Sequence, residues 1–201
     1  MENGPIIVGI TGASGVIYGL RVLEALRRLG VQSHLIMSRS AEITLGYETK
    51  MKVAEVHALA DVVYPPGDIA AAPSSGSFRT LGMIIAPCSI RSMSEIATGV
   101  TSSLLTRAAD VMLKERRRLV LMVRETPLHT GHLRSLTQLS EMGAIIAPPV
   151  PAFYNAPTTI EDLVEHSVGR CLDLFGLDCT NLKRWGEPVQ RSGAARAQSP
   201  T

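Results

Sequence analysis

The sequence predicts an α/β protein: one open parallel sheet with helices on both faces. Three observations carry that prediction. The apolar runs Pro5 to Thr11, Val31 to Met37, Leu81 to Ala86 and Leu119 to Val123 read as strands buried on both faces. Segments with apolar residues at helical spacing separate them. Regular alternation of strand and helix then favours parallel pairing, because each helix carries the chain back across the sheet.

The first strand ends at Gly12. Val16 to Leu29 follows helical spacing through Leu20, Leu23 and Leu26, and Gly30 supplies its stop. After the second strand, Ser38 or Ser40 is placed to cap the next helix. A weaker helical pattern covers Lys52 to Leu59, and Val62 to Tyr64 reads as a short strand. Pro65 to Arg79 is rich in Pro, Gly, Ala and Ser. That composition suits a linker, but a place between strands of one domain suits a functional loop. Leu81 to Ala86 leads into Pro87-Cys88-Ser89, where a helix starts. A longer helix is predicted over Ser103 to Arg117, with Leu104, Leu105, Ala108, Val111 and Met112 on one face. His129 to Met142 is helical and closed by Gly143, Ala144 to Ala147 is a strand, and Ile160 to Phe175 is the last helix. Residues 1–186 form one domain on this reading, and the polar stretch 187–201 is a flexible tail.

At 201 residues the chain is long enough for one well-buried core. Aromatic residues make up only 4%, so Ala, Val, Ile, Leu and Met must fill it. The net charge of +2 is too small to argue for nucleic acid. The basic run Lys114-Glu115-Arg116-Arg117-Arg118 reads as a solvated helix end. No apolar run reaches the ~20 residues of a membrane helix. Cys88, Cys171 and Cys179 lack metal-ligand spacing, and an odd count with no signal-peptide pattern points to reduced thiols in a cytoplasm.

Ligands of open parallel sheets bind beyond the carboxyl ends of the strands. Gly12-Ala13-Ser14, Ser38, Cys88-Ser89-Ile90-Arg91-Ser92 and Arg124-Glu125-Thr126-Pro127 all fall there. The stiff loop Pro148 to Pro157, which carries Tyr154, follows a further strand. Together they suit a flat, phosphorylated ligand. The turn Thr11-Gly12-Ala13-Ser14-Gly15 opens a helix, where backbone N–H groups and the Ser14 hydroxyl can meet a phosphate or a cofactor edge. It has neither G-x-x-x-x-G-K-S/T nor G-x-G-x-x-G spacing, and a plain βα turn is an equal reading. Ser89 can be a helix cap alone, and Cys88 reads as a small buried residue. Arg124 suits a phosphate or ring carbonyl and Glu125 suits proton transfer, with a salt bridge capping the sheet as the plainer alternative. Arg107 and Lys114, seven residues apart, share nearly one helix face and can reach one polyanion or stay solvated. His129 and His132 find no further metal ligands and read as capping or surface residues.

In combination these motifs resemble the flavin prenyltransferases, the UbiX-like family also described as the B subunit of hydroxyarylic acid decarboxylase systems. The matching segments are Gly9 to Gly19, Pro87-Cys88-Ser89, Leu105 to Val111, Leu113 to Arg117, Val123 to His129, Pro151 to Tyr154 and Arg184-Trp185-Gly186. They span about Ile6 to Trp185. The resemblance implies a Rossmann-like or flavodoxin-like homo-oligomer, typically a dodecamer, with sites at subunit interfaces and no metal. It implies transfer of a dimethylallyl group from dimethylallyl monophosphate to N5 and C6 of reduced FMN. Prenylated FMN then passes to a separate UbiD-like decarboxylase.

By matching motif, Gly12, Ala13, Ser14, Ser38, Ser89, Ile90, Arg91, Ser92 and Arg124 are expected to bind FMN. Ser75, Arg107, Lys114, Tyr154 and Arg170 are expected to hold the dimethylallyl phosphate, with Trp185 covering the site. Glu125, Ser14 and Glu48 are expected at the reaction itself. Pro65–Arg79 then becomes a ligand loop. Arg118 stands where the family often has proline, and Asn155 where histidine is frequent. Two other readings stay open. One is an FMN-dependent decarboxylase of cysteine-type substrates on the same fold, opposed by a missing early histidine and a missing Pro-x-Met-Asn motif. The other is a non-catalytic flavin carrier, opposed by the second, cationic phosphate set.

Overall fold

The computed structural model describes residues 4–179, so Trp185 and the tail 187–201 lie outside the described residues. The strands are β1 (Ile6–Ile10), β2 (Ser33–Met37), β3 (Val62–Tyr64), β4 (Gly82–Cys88), β5 (Arg118–Val123) and β6 (Ile145–Ile146). The helices are α1 (Val16–Arg28), α2 (Arg39–Glu48), α3 (Val53–His57), α4 (Ile90–Ala97), α5 (Leu104–Lys114), α6 (Thr130–Glu141) and α7 (Ile160–Asp173). All strands run parallel, in the order β3-β2-β1-β4-β5-β6. No helix among the described residues is long and apolar enough to cross a membrane.

The expected elements are present, with shifted ends. α5 stops at Lys114 rather than Arg117. Arg116 takes a left-handed φ of 56° and the Arg117 N–H turns back to Met112 O at 2.8 Å, a helix-ending turn. β4 runs on to Cys88. The loop 65–79 holds one 3-10 turn, Ala72–Ser74.

Alternation along the strands divides the core into two layers. One face buries Ile6, Val8, Ile10, Ile84, Ala86, Val120 and Met122 against α1 and α7. The other buries Ile7, Met83, Ile85, Leu119, Leu121 and Val123 against α4, α5 and α6. Each Val, Leu, Ile or Met among them contributes about 1.5–3 kcal/mol by leaving water. This doubly covered sheet is why the strands read as unbroken apolar runs. It also fixes which helices share a side, and that decides the geometry of the site.

Candidate active site

Strand order reverses between β1 and β4, so the chain leaves those two strands in opposite directions and opens a crevice at their carboxyl ends. Backbone bonds carry the ladder just past the strands. Ser38 N–H donates to Ile10 O at 2.9 Å, Thr11 N–H to Pro87 O at 3.2 Å and Arg124 N–H to Cys88 O at 3.1 Å. Ser38, Gly12, Ser89 and Arg124 are thereby set along one edge. Fully buried Thr11 staples the crevice. Its Oγ1 donates to Pro87 O at 2.7 Å and accepts from Ser89 N–H at 2.7 Å. Sequence reasoning missed Thr11, whose one signal was a hydroxyl closing an apolar run.

The small-residue turn is shaped by close approach and by a distant carboxylate. A Cβ on Gly12 would overlap Ser40 Cβ, so a larger residue there would push the turn away from α2. Gly15 takes a left-handed φ of 98° as N-cap of α1 and has no side chain to cap with. Glu48, 33 residues on, supplies the cap. Its Oε1 and Oε2 accept from Gly15 N–H at 3.0 and 2.9 Å, and Oε2 accepts from Val16 N–H at 2.9 Å. The carboxylate sits at the positive end of the helix dipole. Amides that the sequence offered to a phosphate are therefore engaged by Glu48. Gly12 and Ser14 remain the well-exposed members of the turn.

Two further helix N-termini border the crevice. Ser38 caps α2 through Ala41 N–H at 3.1 Å, and Ser89 caps α4 through Ser92 N–H at 3.3 Å. The Ser89 and Ser92 hydroxyls lie 3.2 Å apart. α2 has Glu42 in its first turn, whereas α4 has no acid there and carries Arg91 at its start. An anion is therefore better received at α4. Arg91 is exposed and pairs with Glu95 at 2.9 Å. Arg124 and Glu125 are both exposed, and Glu125 Oε1 accepts from Thr126 N–H at 2.9 Å. Buried Cys88 has its thiol pushed up to about 12 by desolvation, so it stays protonated and is no nucleophile at neutral pH.

The cationic strip lies on α5. Arg107 Nε donates to Ser74 O at 3.2 Å and Nη1 pairs with Asp110 at 2.7 Å. Lys114 pairs with Glu115, and a Cβ on Gly76 would lie against both. Arg117 donates to Gly76 O at 2.7 Å and to Phe78 O at 2.6 Å. Pro65–Arg79 is thus bound along α5, with Ser75 between neighbours that meet Arg107 and Lys114. This corrects the reading of the basic run as merely solvated. Lys114 and Arg116 are exposed, but Arg117 is a half-buried anchor. Arg118, at the amino end of β5 and so at the opposite end of the strands from the crevice, lies over the Phe175 ring at 5.9 Å.

Tyr154 and Arg170 belong to the other layer. The Tyr154 hydroxyl is 2.9 Å from His166 Nε2 on α7, and Arg170 on the same helix pairs with Asp173 at 2.7 Å. α7 packs on the α1 face and α5 on the opposite face. The sheet and both core layers therefore separate Arg107 and Lys114 from Tyr154 and Arg170. One phosphate cannot touch both groups of a single chain. A cavity of about 380 Å³ between α1 and α7 takes in none of the sequence-predicted site residues. His129 caps α6, accepting from Gly131 N–H at 3.0 Å, as the capping reading expected.

A doubly wound sheet with this crevice defines a class of open-sheet proteins that take a nucleotide-like ligand at the switch point. The comparisons narrow the class. The family model described as Flavoprotein matches residues 1–172. The flavin prenyltransferase UbiX of Escherichia coli strain K12 is 57% identical over 173 residues, 86% of this chain and 92% of that protein. The crystal structure of AnUbiX (PadA1) in complex with FMN and dimethylallyl pyrophosphate matches with a TM-score of 0.90 at 53% identity, covering 92% of this chain and 98% of that one. A dodecameric FMN-dependent UbiX-like decarboxylase from Escherichia coli O157:H7 matches with a TM-score of 0.88 at 49% identity, covering 90% and 98%. The chain belongs to the flavin prenyltransferase family of flavoproteins, as the motifs led us to expect.

Proposed function

We propose that this protein transfers a dimethylallyl group from dimethylallyl monophosphate to N5 and C6 of reduced FMN, giving prenylated FMN. One observation carries the reading beyond family membership: the chain holds a cationic, serine-bearing strip distinct from the flavin crevice. A carrier needs only the crevice. A decarboxylase of cysteine-type substrates needs no second phosphate site.

Gly12, Ala13, Ser14, Ser38, Ser89, Ile90, Arg91, Ser92 and Arg124 bind FMN in this proposal. The residues fit the group: Thr11 holds the crevice walls together, and the acid-free N-terminus of α4 suits the FMN phosphate. Reduced flavin supplies the electron-rich centres that the allyl group joins. Arg107, Lys114 and Arg170 neutralise the departing phosphate and the Ser75 and Tyr154 hydroxyls donate to it, which lowers the barrier to C–O cleavage. A neighbouring subunit closing over the crevice would exclude water from the electron-poor allyl centre. Glu125 accepts the proton released during ring closure, directly or through Ser14. Glu48 acts by fixing the Gly12–Gly15 turn through its cap of α1.

The donor site forms between subunits, with the α5 strip of one beside Tyr154 and Arg170 of another. Separation of the two groups by the sheet supports this. So do the large apolar side chains left on the surface: Tyr47 is 88% exposed and Val150 and Phe153 are each 72% exposed. A dodecamer is the assembly we propose, as in the relative from Escherichia coli O157:H7. We assign the product to a UbiD-like decarboxylase, in a cytoplasm where the Cys88 and Cys171 thiols stay reduced.

The test is anaerobic incubation of purified protein with reduced FMN and dimethylallyl monophosphate, then mass spectrometry of the released flavin. A flavin heavier by one isoprene unit is expected. Unmodified FMN that stays tightly bound would favour a carrier.

A further inference from the structure

The three cations assigned to the donor phosphate share one feature: each is paired with a carboxylate of its own chain. Arg107 Nη1 donates to Asp110 Oδ2 at 2.7 Å, Arg170 Nη1 donates to Asp173 Oδ2 at 2.7 Å, and Lys114 pairs with Glu115. None of these pairings uses up its cation. Arg107 spends two of its five N–H groups, on Ser74 O and Asp110, and its Nη2 meets no acceptor among the described residues. Lys114 gives one of its three ammonium hydrogens to Glu115. A phosphate can therefore bind these cations without displacing their acids. It then lies about 6 Å from a carboxylate held on the same cation, inside the ~8 Å screening length of physiological salt. The three carboxylates cancel the formal charge of the three cations, and they repel a bound anion in proportion to its own charge. A phosphate monoester carries about two negative charges at neutral pH, and a diphosphate ester roughly one more. The acids therefore weigh more heavily against the diphosphate.

We propose that Asp110 and Glu115 are specificity-determining residues, which hold the donor site to a monophosphate and against a diphosphate by limiting its net positive charge. This rests on the reading of Arg107 and Lys114 as donor ligands.

The test compares Asp110→Asn, Glu115→Gln and the double variant with the parent, as purified FMN-loaded oligomers under anaerobic conditions. Selectivity is read as the inhibition constant of dimethylallyl diphosphate divided by the KM of dimethylallyl monophosphate, so it is obtained whether or not the diphosphate is turned over. Both substitutions keep size and a hydrogen-bond acceptor and remove only the charge. A loss of orientation in Arg107 or Lys114 falls on both donors and cancels in the ratio. One charge pair about 6 Å apart, at an effective dielectric of about 20 to 40, corresponds after screening to about three- to tenfold in affinity. Each single variant should therefore lower the ratio by about three- to tenfold, and the double variant by more than either. The shift should vanish at about 1 M salt, where the screening length is ~3 Å. If one variant fails to assemble, the other answers the same question. An unmoved ratio overturns the inference, as does a parent that binds the diphosphate more tightly than the monophosphate. An unmoved monophosphate KM in Arg107→Ala instead overturns the reading beneath it.

Discussion

Glu48 offers the sharpest separation of a structural from a chemical role. Its carboxylate accepts from the Gly15 and Val16 amides and is the cap of α1, since Gly15 cannot cap the helix itself. Glu48→Ala removes an N-cap acceptor, which costs about 1 kcal/mol, and a charge at a helix N-terminus, worth about 0.3–1 kcal/mol. Exposure of Glu48 to solvent favours the low end of the second figure. The sum of about 1–2 kcal/mol should raise the local opening equilibrium of the turn by about 5- to 30-fold. Amide exchange read on a peptide spanning Gly12 to Tyr18 is the direct assay, because it reports the turn without requiring the oligomer to unfold. FMN affinity should fall in parallel, since Gly12 and Ser14 belong to the loosened turn. Glu48→Gln keeps an acceptor and loses the charge, so it should fall between parent and Ala in both readouts. Unchanged exchange in Glu48→Ala would refute the capping role. Full FMN affinity with lost turnover in Glu48→Gln would return Glu48 to the reaction itself.

The remaining predictions concern proton transfer, the ligand loop and pH. Glu125→Gln should lower kcat by about 100-fold or more while the FMN Kd stays within about threefold, and full turnover would remove Glu125 from the reaction. Arg117→Lys cannot hold Gly76 O and Phe78 O with a planar fork, so the donor KM should rise by about tenfold with FMN affinity intact. An unmoved KM would show that the loop needs no such anchor. His34 and His166 are both lowered from 6.5 by burial, so the unfolded chain binds more protons just below that pH. Stability should therefore be full above about pH 6.5 and decline as the pH falls through the folded values of these histidines. Denaturation midpoints at about pH 7.5 and 5.5 check the sign, and a midpoint that rises on acidification contradicts it.

The layered sheet was legible because its strands are covered on both faces and so appear as unbroken apolar runs. Ser38, Ser89 and Arg124 were legible for the same reason: once a strand end is known, the residue after it is placed. Strand order was not legible, since nothing in the composition of Pro65 to Arg79 says on which side of β1 the chain returns. Thr11, Arg117 and the capping role of Glu48 escaped because their partners are backbone atoms 32 to 78 residues away. His166 escaped because its partner depends on how the proline loop folds onto α7. Most consequentially, the motifs that list Arg107 and Arg170 as ligands of one phosphate hide that the sheet stands between them.

That separation is tested most directly by subunit complementation. Arg107→Ala and Arg170→Ala are each expected to retain FMN and lose transfer activity as pure oligomers. If the donor site pairs α5 of one subunit with α7 of another, oligomers co-assembled from equal amounts of the two should contain about a quarter of sites with both arginines native. Recovery of about a quarter of the parent's prenylated flavin, read by mass spectrometry, is the predicted result. Mixed oligomers with no more activity than either parent variant would show that a single chain supplies both arginines to the site, and would contradict the shared-site geometry.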